Sequence, residues 1–420
     1  MNNEIRSERA DLFDPNMYIV MTFDVIGRID CQSFIDAAKR AFTAFEATMS
    51  RVVLTDTGNA YYDKLPFSNC TAEVTHLDFD ALILEYERKQ LVIEQGEMMK
   101  VFVKRGDDRL SVLVMAHHLA GDGKSVVYYI ERMMKECIGE SGEFQPLRLL
   151  NEQTLPKGSE IPRFYHLLVG YFNRQWQKSG KVFDWSDRKR LHDAYWQQRS
   201  SVILNRQFSP ECVERIKERA KAAGVSMNSY ILTAFLKANR RYASVGLAVD
   251  ARLDGNRSMS NQATGITAKY TYNDKLTFEQ NARELHRRIY TKLRQPPRRY
   301  FILHFIPLFI PSLIDSLTMV ACGLYDSKTS KKAAAMMGYA PLKKSALSVT
   351  NLTRLDIADE YGSLKIANLC FIPPLVSYAY ETIGIATTSS GMTITLHSMN
   401  DRYTDEEGQR FHAAMEFLET

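Results

Sequence analysis

The sequence has few cysteines, and none of them is paired. The six cysteines form no Cys-x-x-Cys motif and are spread along the chain: Cys31, Cys70, Cys137, Cys212, Cys322 and Cys370. Neither a zinc site nor a redox motif is therefore indicated, and we expect free, buried thiols. The first 16 residues are polar and lack the apolar core of a signal peptide. Both features lead us to expect a cytoplasmic protein.

The sequence also lacks a block of charge of one sign. It contains 54 Lys and Arg against 49 Asp and Glu, which gives a formal net charge of +5, and the two signs are interspersed. Nucleic-acid binding is therefore not expected. A small positive balance suits an anionic ligand or partner, although an ordinary solvated surface explains it at least as well.

Long uninterrupted apolar runs are missing too. The stretch that comes nearest, residues 301–322, contains Pro307 and Pro311, which break helices, and His304 and Asp315, which a lipid-facing span would penalise. We expect a buried helix or the lining of an apolar tunnel. Contact with a membrane surface through residues 301–322 is the less favoured alternative.

A chain of 420 residues exceeds the size at which one core keeps growing, so we expect two domains of about 200 residues each. Periodicity is weak between residues 139 and 193, where Pro and Gly recur, so we place the connection there. The predicted domains are residues 1–195 and 196–420. Both mix strand and helix patterns, which predicts an α+β fold.

Several helix starts can be read from the second half of the chain. Ser209 followed by Pro210, and Ser226, have the residue types that begin helices. Thr404 with Glu407 three residues later matches a capping box.

One segment in the first half carries the chemistry. Residues 101–105 and 110–116 alternate as strands around a Gly-Asp-Asp turn, and residues 124–137 have a helical apolar stripe. Between them lies the sequence His117-His118-Leu119-Ala120-Gly121-Asp122-Gly123. The two histidines therefore occupy a strand-to-helix loop.

A histidine in such a loop can act as a general base, since imidazole titrates in the range needed to remove a proton from an attacking hydroxyl or amine. Neighbouring residues at a strand end point to opposite faces, so only one histidine is expected to face the reaction. We assign that role to His118 and expect His117 to pack inside the protein. Asp122 has, on its own, the residue type of a helix N-cap.

His117, His118, Asp122 and Gly123 spell HHxxxDG, which resembles the signature of the chloramphenicol acetyltransferase-like superfamily. That group includes condensation domains of nonribosomal peptide synthetases, polyketide-associated acyltransferases and alcohol acetyltransferases. Further segments are similar to the family pattern: residues 88–103, 208–238, 249–252 and 348–352.

The resemblance implies a mixed-sheet α/β sandwich, built as two chloramphenicol acetyltransferase-like subdomains in a V-shape. The histidine loop would lie at their interface, beside a tunnel open at both faces. His118 would be the base, with His117, Asp122 and Gly123 completing the catalytic loop. Asp122 would form a structural ion pair with Arg252 from the other half.

Two segments depart from the family pattern. Asn261 precedes Gly265 where the family has Gly before Asn, and residues 349–351 read Val-Thr-Asn where it usually has Ser-Asn. The expectation that Thr350, Asn351 and Ser348 contact an oxyanion or the substrate comes only from the resemblance of this strand to the family.

The implied function is transfer of an acyl group from a thioester, most suitably coenzyme A, to an alcohol or amine acceptor. No bound cofactor and no metal is expected, since the acyl thioester is a co-substrate. One alternative is a free-standing condensation enzyme that uses thioesters on an acyl or peptidyl carrier protein. Another is a catalytically inactive relative that only binds such ligands.

Gly123-Lys124-Ser125 between a strand and a helix also imitates the end of a phosphate-binding loop. That motif needs a glycine five residues before Gly123, and His118 occupies the position. A nucleotide site is therefore not expected. A Gly-x-Ser-x-Gly nucleophile motif is absent from the sequence.

Overall fold

The computed structural model describes residues 3–253, 255–339 and 346–420. Its strands, in chain order, are β1 (Tyr18–Ile26), β2 (Ser50–Leu54), β3 (Ala60–Lys64), β4 (Thr71–Val74), β5 (Met99–Arg105), β6 (Arg109–His117), β7 (Ser201–Phe208), β8 (Ser244–Asp250), β9 (Ala263–Lys269), β10 (Ala346–Arg354), β11 (Glu360–Tyr361), β12 (Leu364–Ile372), β13 (Glu381–Thr388) and β14 (Gly391–Met399).

The helices are α1 (Ala10–Phe13), α2 (Cys31–Phe42), α3 (Phe79–Lys89), α4 (Gly123–Cys137), α5 (Arg163–Gln177), α6 (Trp185–Trp196), α7 (Pro210–Ala222), α8 (Met227–Ala238), α9 (Phe278–Leu293), α10 (Pro296–Arg299), α11 (Phe301–Phe305), α12 (Pro311–Ala321), α13 (Lys328–Met337) and α14 (Asp405–Glu419). Short 3₁₀ helices lie at Ala47–Met49, Ile93–Gln95, His118–Ala120 and Ile306–Leu308. The α+β class predicted from the sequence is confirmed.

Two six-stranded sheets organise the chain. The first has the order β11-β12-β1-β6-β5-β4, and the second has the order β7-β14-β13-β10-β8-β9. Both are mixed, since β4 runs parallel to β5, and β10 runs parallel to both β8 and β13. Each sheet packs against its own large apolar core. The protein is therefore built as two subdomains of similar construction.

The two subdomains are not simple halves of the sequence. Strand β12 pairs antiparallel with β1, so residues from the predicted C-terminal domain complete the first sheet. The first core also includes residues of α12 and α13. This arrangement differs from the division at residue 195, because strand pairing over such a distance leaves no mark on local sequence patterns.

Two of the helices begin at the capping residues that the sequence predicted. The side chain of Ser209 accepts a hydrogen bond from the backbone of α7, and that of Ser226 does the same for α8, as predicted. The capping box predicted at Thr404 is wrong in detail. Its hydroxyl donates to the carboxylate of Glu407 instead of accepting from the backbone of α14.

Helices α5 and α6 lie in the region where the sequence showed weak periodicity. Helix α5 buries Val169, Phe172 and Trp176, but it exposes Phe164 and Leu167. Pro and Gly residues on both sides of this helix, among them Pro162 and Gly180, favoured a connecting segment over a helix in the sequence.

The apolar stretch at residues 301–322 forms a bent pair of helices inside the first subdomain. Leu313, Ile314 and Leu317 of α12 are almost completely buried, as expected for a core helix. Within the described ranges, no single helix is long and apolar enough to cross a membrane. The segments Phe301–Leu308 and Pro311–Ala321 reach that length only together, and they are bent by 100°.

A buried ion pair attaches the start of the chain to this helix pair. The guanidinium of Arg9 donates to both carboxylate oxygens of Asp315, at 2.8 and 2.5 Å. Both side chains are at most 1% exposed. Removing one partner of such a pair leaves an uncompensated charge in the core.

We predict that Asp315→Ala lowers the free energy of unfolding by about 3 to 5 kcal/mol, because it leaves Arg9 buried without its partner. The double variant Arg9→Met with Asp315→Leu should recover most of this loss, since no buried charge remains. Urea denaturation measures both. Asp326→Ala, which removes an exposed ion pair with Lys331, is the control and should leave stability unchanged. A double variant as unstable as Asp315→Ala would contradict this account.

Candidate active site

The two histidines stand at the end of β6 and are first positioned through their backbones. The amide of His117 donates to the carbonyl of Met98 at 3.0 Å, and that of His118 donates to Met17 at 2.8 Å. The chain then turns through the 3₁₀ helix His118–Ala120 and enters α4. The predicted strand, loop and helix around the motif are confirmed.

His117 is packed into the first subdomain. It is 1% exposed, and its Nδ1 accepts a hydrogen bond from the amide of Leu119 at 3.1 Å. The guanidinium of Arg188 lies 3.4 Å from its Nε2. Burial and the positive charge of Arg188 hold the pKa of His117 well below its ordinary value. The side chain is therefore a neutral part of the loop structure.

His118 is placed differently, since its side chain remains 14% exposed. Its Nδ1 faces the carboxylate of Asp11 in α1, with 3.5 Å between Nδ1 and Oδ2. The same Oδ2 accepts a hydrogen bond from the side-chain amide of Asn261 at 2.9 Å. Burial raises the pKa of Asp11, opposed by the charge of His118 and the Asn261 amide. Sequence reasoning did not foresee Asp11 as a neighbour of His118.

Asp122 and Arg252 join the two subdomains through a buried ion pair. Two parallel hydrogen bonds of 2.7 Å connect the guanidinium to the two carboxylate oxygens. The side chains are only 8% and 5% exposed. Burial tends to raise the pKa of Asp122, but the charge and hydrogen bonds of Arg252 outweigh it and hold the pKa below its ordinary value. Asp122 therefore acts as a charged clamp.

The same carboxylate also caps α4. It accepts from the backbone amide of Ser125 at 2.9 Å and from that of Gln262 at 3.0 Å. The helix N-terminus and the loop after β8 thus converge on one side chain. The N-cap and ion-pair interpretations of Asp122 are both realised at once.

The glycines of the motif allow the two subdomains to approach closely. Gly121 has φ +149°, and a Cβ added there would lie 2.4 Å from the Cβ of Ser125. A Cβ at Gly123 would lie 2.7 Å from the Leu352 side chain of β10. Larger residues at either position would push the histidine loop out of place.

Lys124 and Ser125 are engaged in the same interface. Lys124 forms an ion pair of 2.9 Å with Asp250, and the Ser125 hydroxyl donates to the carbonyl of Ser260 at 2.9 Å. The polar side chains of both residues are therefore used in contacts between the subdomains.

The other residues expected at the site lie on β10. Ser348 and Thr350 are half-buried on the same face of the strand. The side chain of Asn351 donates to Asn228 of α8 at 2.9 Å and accepts from the amide of Thr353 at 2.7 Å. Both polar atoms of the Asn351 side chain therefore make hydrogen bonds within the protein. The contact between Leu352 and the Gly123 position brings the end of β10 to the loop.

The N-terminal segment, residues 8–14, supports the loop from the other side. The hydroxyl of Tyr62 lies 2.7 Å from Oε1 of Glu8 and 2.8 Å from the carbonyl oxygen of Leu119. Burial raises the pKa of Glu8 to about 8. A protonated Glu8 can donate to Tyr62, so the single hydroxyl proton of Tyr62 remains for Leu119. This chain of hydrogen bonds fixes the turn that follows His118.

Cysteines and metal ligands are not gathered at this site. All six thiols are free, with Cys70, Cys212 and Cys370 buried and the other three half-buried. In the part of the chain that the structure describes, no group of three or more His, Cys, Asp or Glu side chains is arranged to hold a metal ion.

We predict that Asp122→Ala lowers the free energy of unfolding by about 3 to 5 kcal/mol, because Arg252 would be left charged in the interface. Chemical denaturation measures the change. Asp63→Ala removes the partner of Arg51 in an exposed ion pair and is the control, for which we expect a much smaller loss. If Asp122→Ala and the unmodified protein have equal free energies of unfolding, the ion pair does not stabilise the protein.

We predict that Gly123→Ala destabilises the protein by about 1 to 3 kcal/mol through its contact with Leu352. Gly121→Ala should cost more, because strained φ adds to the steric overlap. Gly170→Ala in α5 is the matched control, since nothing lies within 4 Å of its added Cβ, and it should not destabilise. Thermal melts rank the three variants, and a loss for Gly170→Ala as large as that for Gly123→Ala would contradict the steric explanation.

Known proteins resemble this chain in structure, although no match is found by sequence. No protein-family model matches the sequence, and no curated protein sequence matches it. Polyketide synthase associated protein 5 from Mycobacterium tuberculosis superimposes with a TM-score of 0.64 at 11% identity, covering 100% of this chain and 97% of that one.

Two condensation domains match similarly. The condensation domain of the Monacolin K polyketide synthase MokA gives a TM-score of 0.63 at 12% identity, over 100% of this chain and 96% of that domain. The first condensation domain of the CDA synthetase gives 0.62 at 13% identity, over 98% and 92%. The chain therefore has the two-subdomain fold of the condensation-domain and chloramphenicol acetyltransferase-like superfamily.

Proposed function

We propose that this protein transfers an acyl group from a thioester to a hydroxyl or amine acceptor, with His118 as the general base. The observation that carries the proposal is the contrast between the two histidines. His117 is sealed in the protein, whereas His118 keeps an exposed fraction of 14% on a loop that a buried ion pair fixes between the subdomains. Rigid support is what a general base needs.

In the proposed reaction, the acceptor oxygen or nitrogen attacks the thioester carbonyl carbon while Nε2 of His118 takes the acceptor's proton. The C–S bond then breaks, and the imidazolium returns the proton to the leaving thiolate. The products are an ester or amide and a free thiol. Nothing is oxidised or reduced, and no metal is required.

Coenzyme A is the donor that we favour. The small positive net charge is compatible with the phosphates of coenzyme A.

A carrier-bound thioester is the second candidate donor. It is favoured by the repeated match to condensation domains, including those of MokA and the CDA synthetase. The chemistry at His118 would be the same for both donors. The two candidates differ in the surface that must receive the donor, and so they can be separated by the choice of substrate.

We predict that His118→Ala lowers acyl transfer by about 10²- to 10⁴-fold while the protein stays folded, because the acceptor loses its base. The assay is thiol release from a panel of acyl-coenzyme A donors with alcohol and amine acceptors. His166→Ala removes an exposed histidine of α5 and is the matched control, which should retain full activity. Full activity of folded His118→Ala would exclude His118 as the base.

The same panel decides between donors. Thiol release from acyl-coenzyme A supports the first proposal. Release only from acylated carrier proteins would establish the second, and binding without release from either would identify a protein that retains the fold but not the reaction.

A further inference from the structure

We propose that Asp11 is a positioning residue for His118: its carboxylate holds the proton of the imidazole on Nδ1 and so leaves the lone pair of Nε2 free to act as the base. This inference rests on the proposed function and adds a residue to it. Asp11 lies more than 100 positions before the histidine motif and is not part of it.

The first support is an unsatisfied atom. Nδ1 of His118 is shielded from solvent and makes no hydrogen bond in this conformation. Buried polar atoms without a partner are rare and usually have a functional reason. The Asp11 Oδ2 faces this nitrogen at 3.5 Å, slightly beyond hydrogen-bonding distance. Catalytic hydrogen bonds are often long in the absence of substrate and shorten when it binds.

The second support is that Asp11 is held in place independently of His118. The side-chain oxygen of Asn261 accepts from the amide of Ala263 at 3.1 Å, which fixes the orientation of the Asn261 amide group. Its NH₂ group must then point at Asp11, to which it donates at 2.9 Å. Asn261 belongs to the same loop as Arg252, so one loop of the second subdomain contacts both Asp11 and Asp122.

The segment that carries Asp11 is anchored on both sides. Before Asp11, Arg9 is bound to Asp315 in the core. After it, the carboxylate of Asp14 accepts from the backbone and hydroxyl of Ser377 at 2.9 and 2.8 Å. A side chain between two such anchors has little freedom to swing away from His118. The geometry is thus over-determined, as expected for a group that orients another.

The chemical consequence follows from the two nitrogens of imidazole. A carboxylate only accepts, so it selects the tautomer with the proton on Nδ1. Its negative charge also stabilises the imidazolium that forms when Nε2 takes the acceptor's proton. His117 shows the opposite arrangement, because its Nδ1 accepts from the Leu119 amide. The two adjacent histidines are therefore expected to hold opposite tautomers.

Nitrogen NMR of histidine-labelled protein tests the inference directly. At a pH where neutral imidazole dominates, the resonances that disappear in His118→Ala should belong to an imidazole with protonated Nδ1 and unprotonated Nε2. In Asp11→Asn this preference should be lost, because an amide can both donate and accept. Asp326→Asn removes an exposed carboxylate that pairs with Lys331, outside the segment that holds Asp11, and should leave the tautomer as it was.

The kinetic readout should agree. We predict that Asp11→Asn lowers kcat by about 10- to 100-fold, less than the roughly 10⁴-fold seen when the orienting carboxylate of a tight Ser-His-Asp triad is replaced, because the contact here is longer. KM should change little, since Asp11 acts through His118 and not on the substrate. Asp326→Asn should keep kcat within about twofold of the unmodified protein.

Three results would overturn the inference. The first is a proton on Nε2 of His118 in the unmodified protein, which would be sufficient by itself. An unchanged tautomer in Asp11→Asn, or an unchanged kcat, would do so as well. Absence of thiol release from every donor would instead overturn the proposed function, and the role of Asp11 in catalysis with it. If thiol is released but the proton of His118 lies on Nε2, only the positioning role of Asp11 is rejected, and the proposed function stands.

Discussion

The histidine loop is held between two subdomains by one buried ion pair, that of Asp122 with Arg252. The aspartate caps α4 and the arginine follows β8, so a single carboxylate ties a helix start in one subdomain to a loop in the other. Burial makes this pair costly to break and gives it a fixed, two-pronged geometry. The loop that carries His118 is also closely packed, since an added Cβ would lie 2.4 Å from Ser125 at Gly121 and 2.7 Å from Leu352 at Gly123.

The same region shows why a site between subdomains needs support from several directions. The N-terminal segment reaches His118 through Asp11, reaches the turn after it through Glu8 and Tyr62, and is itself attached to the core by Arg9. These contacts order a loop that carries no large apolar side chain of its own except Leu119. In such a site, charge and hydrogen bonding specify position while the two apolar cores supply most of the stability.

Local patterns predicted the parts of the site that are local. The alternation of β6, the stripe of α4 and the glycines between them placed the histidines on a strand-to-helix loop, which the structure contains. Arg252 was named through resemblance to a family, since its 130-residue separation from Asp122 has no local signature. Asp11 was missed because a short polar segment gives no sign that it is buried. The pairing of β12 with β1 was not foreseen either, because it joins residues that lie far apart in the sequence.

Asp122 and Arg252 are expected to act as one unit that positions His118. A double-mutant cycle with Asp122→Asn and Arg252→Gln, followed through both unfolding free energy and acyl transfer, measures this most directly. We expect a coupling energy of about 1 to 3 kcal/mol and a double variant no less active than either single variant. Additive losses in both measurements would mean that the two residues act separately, and the account of the clamp would be wrong.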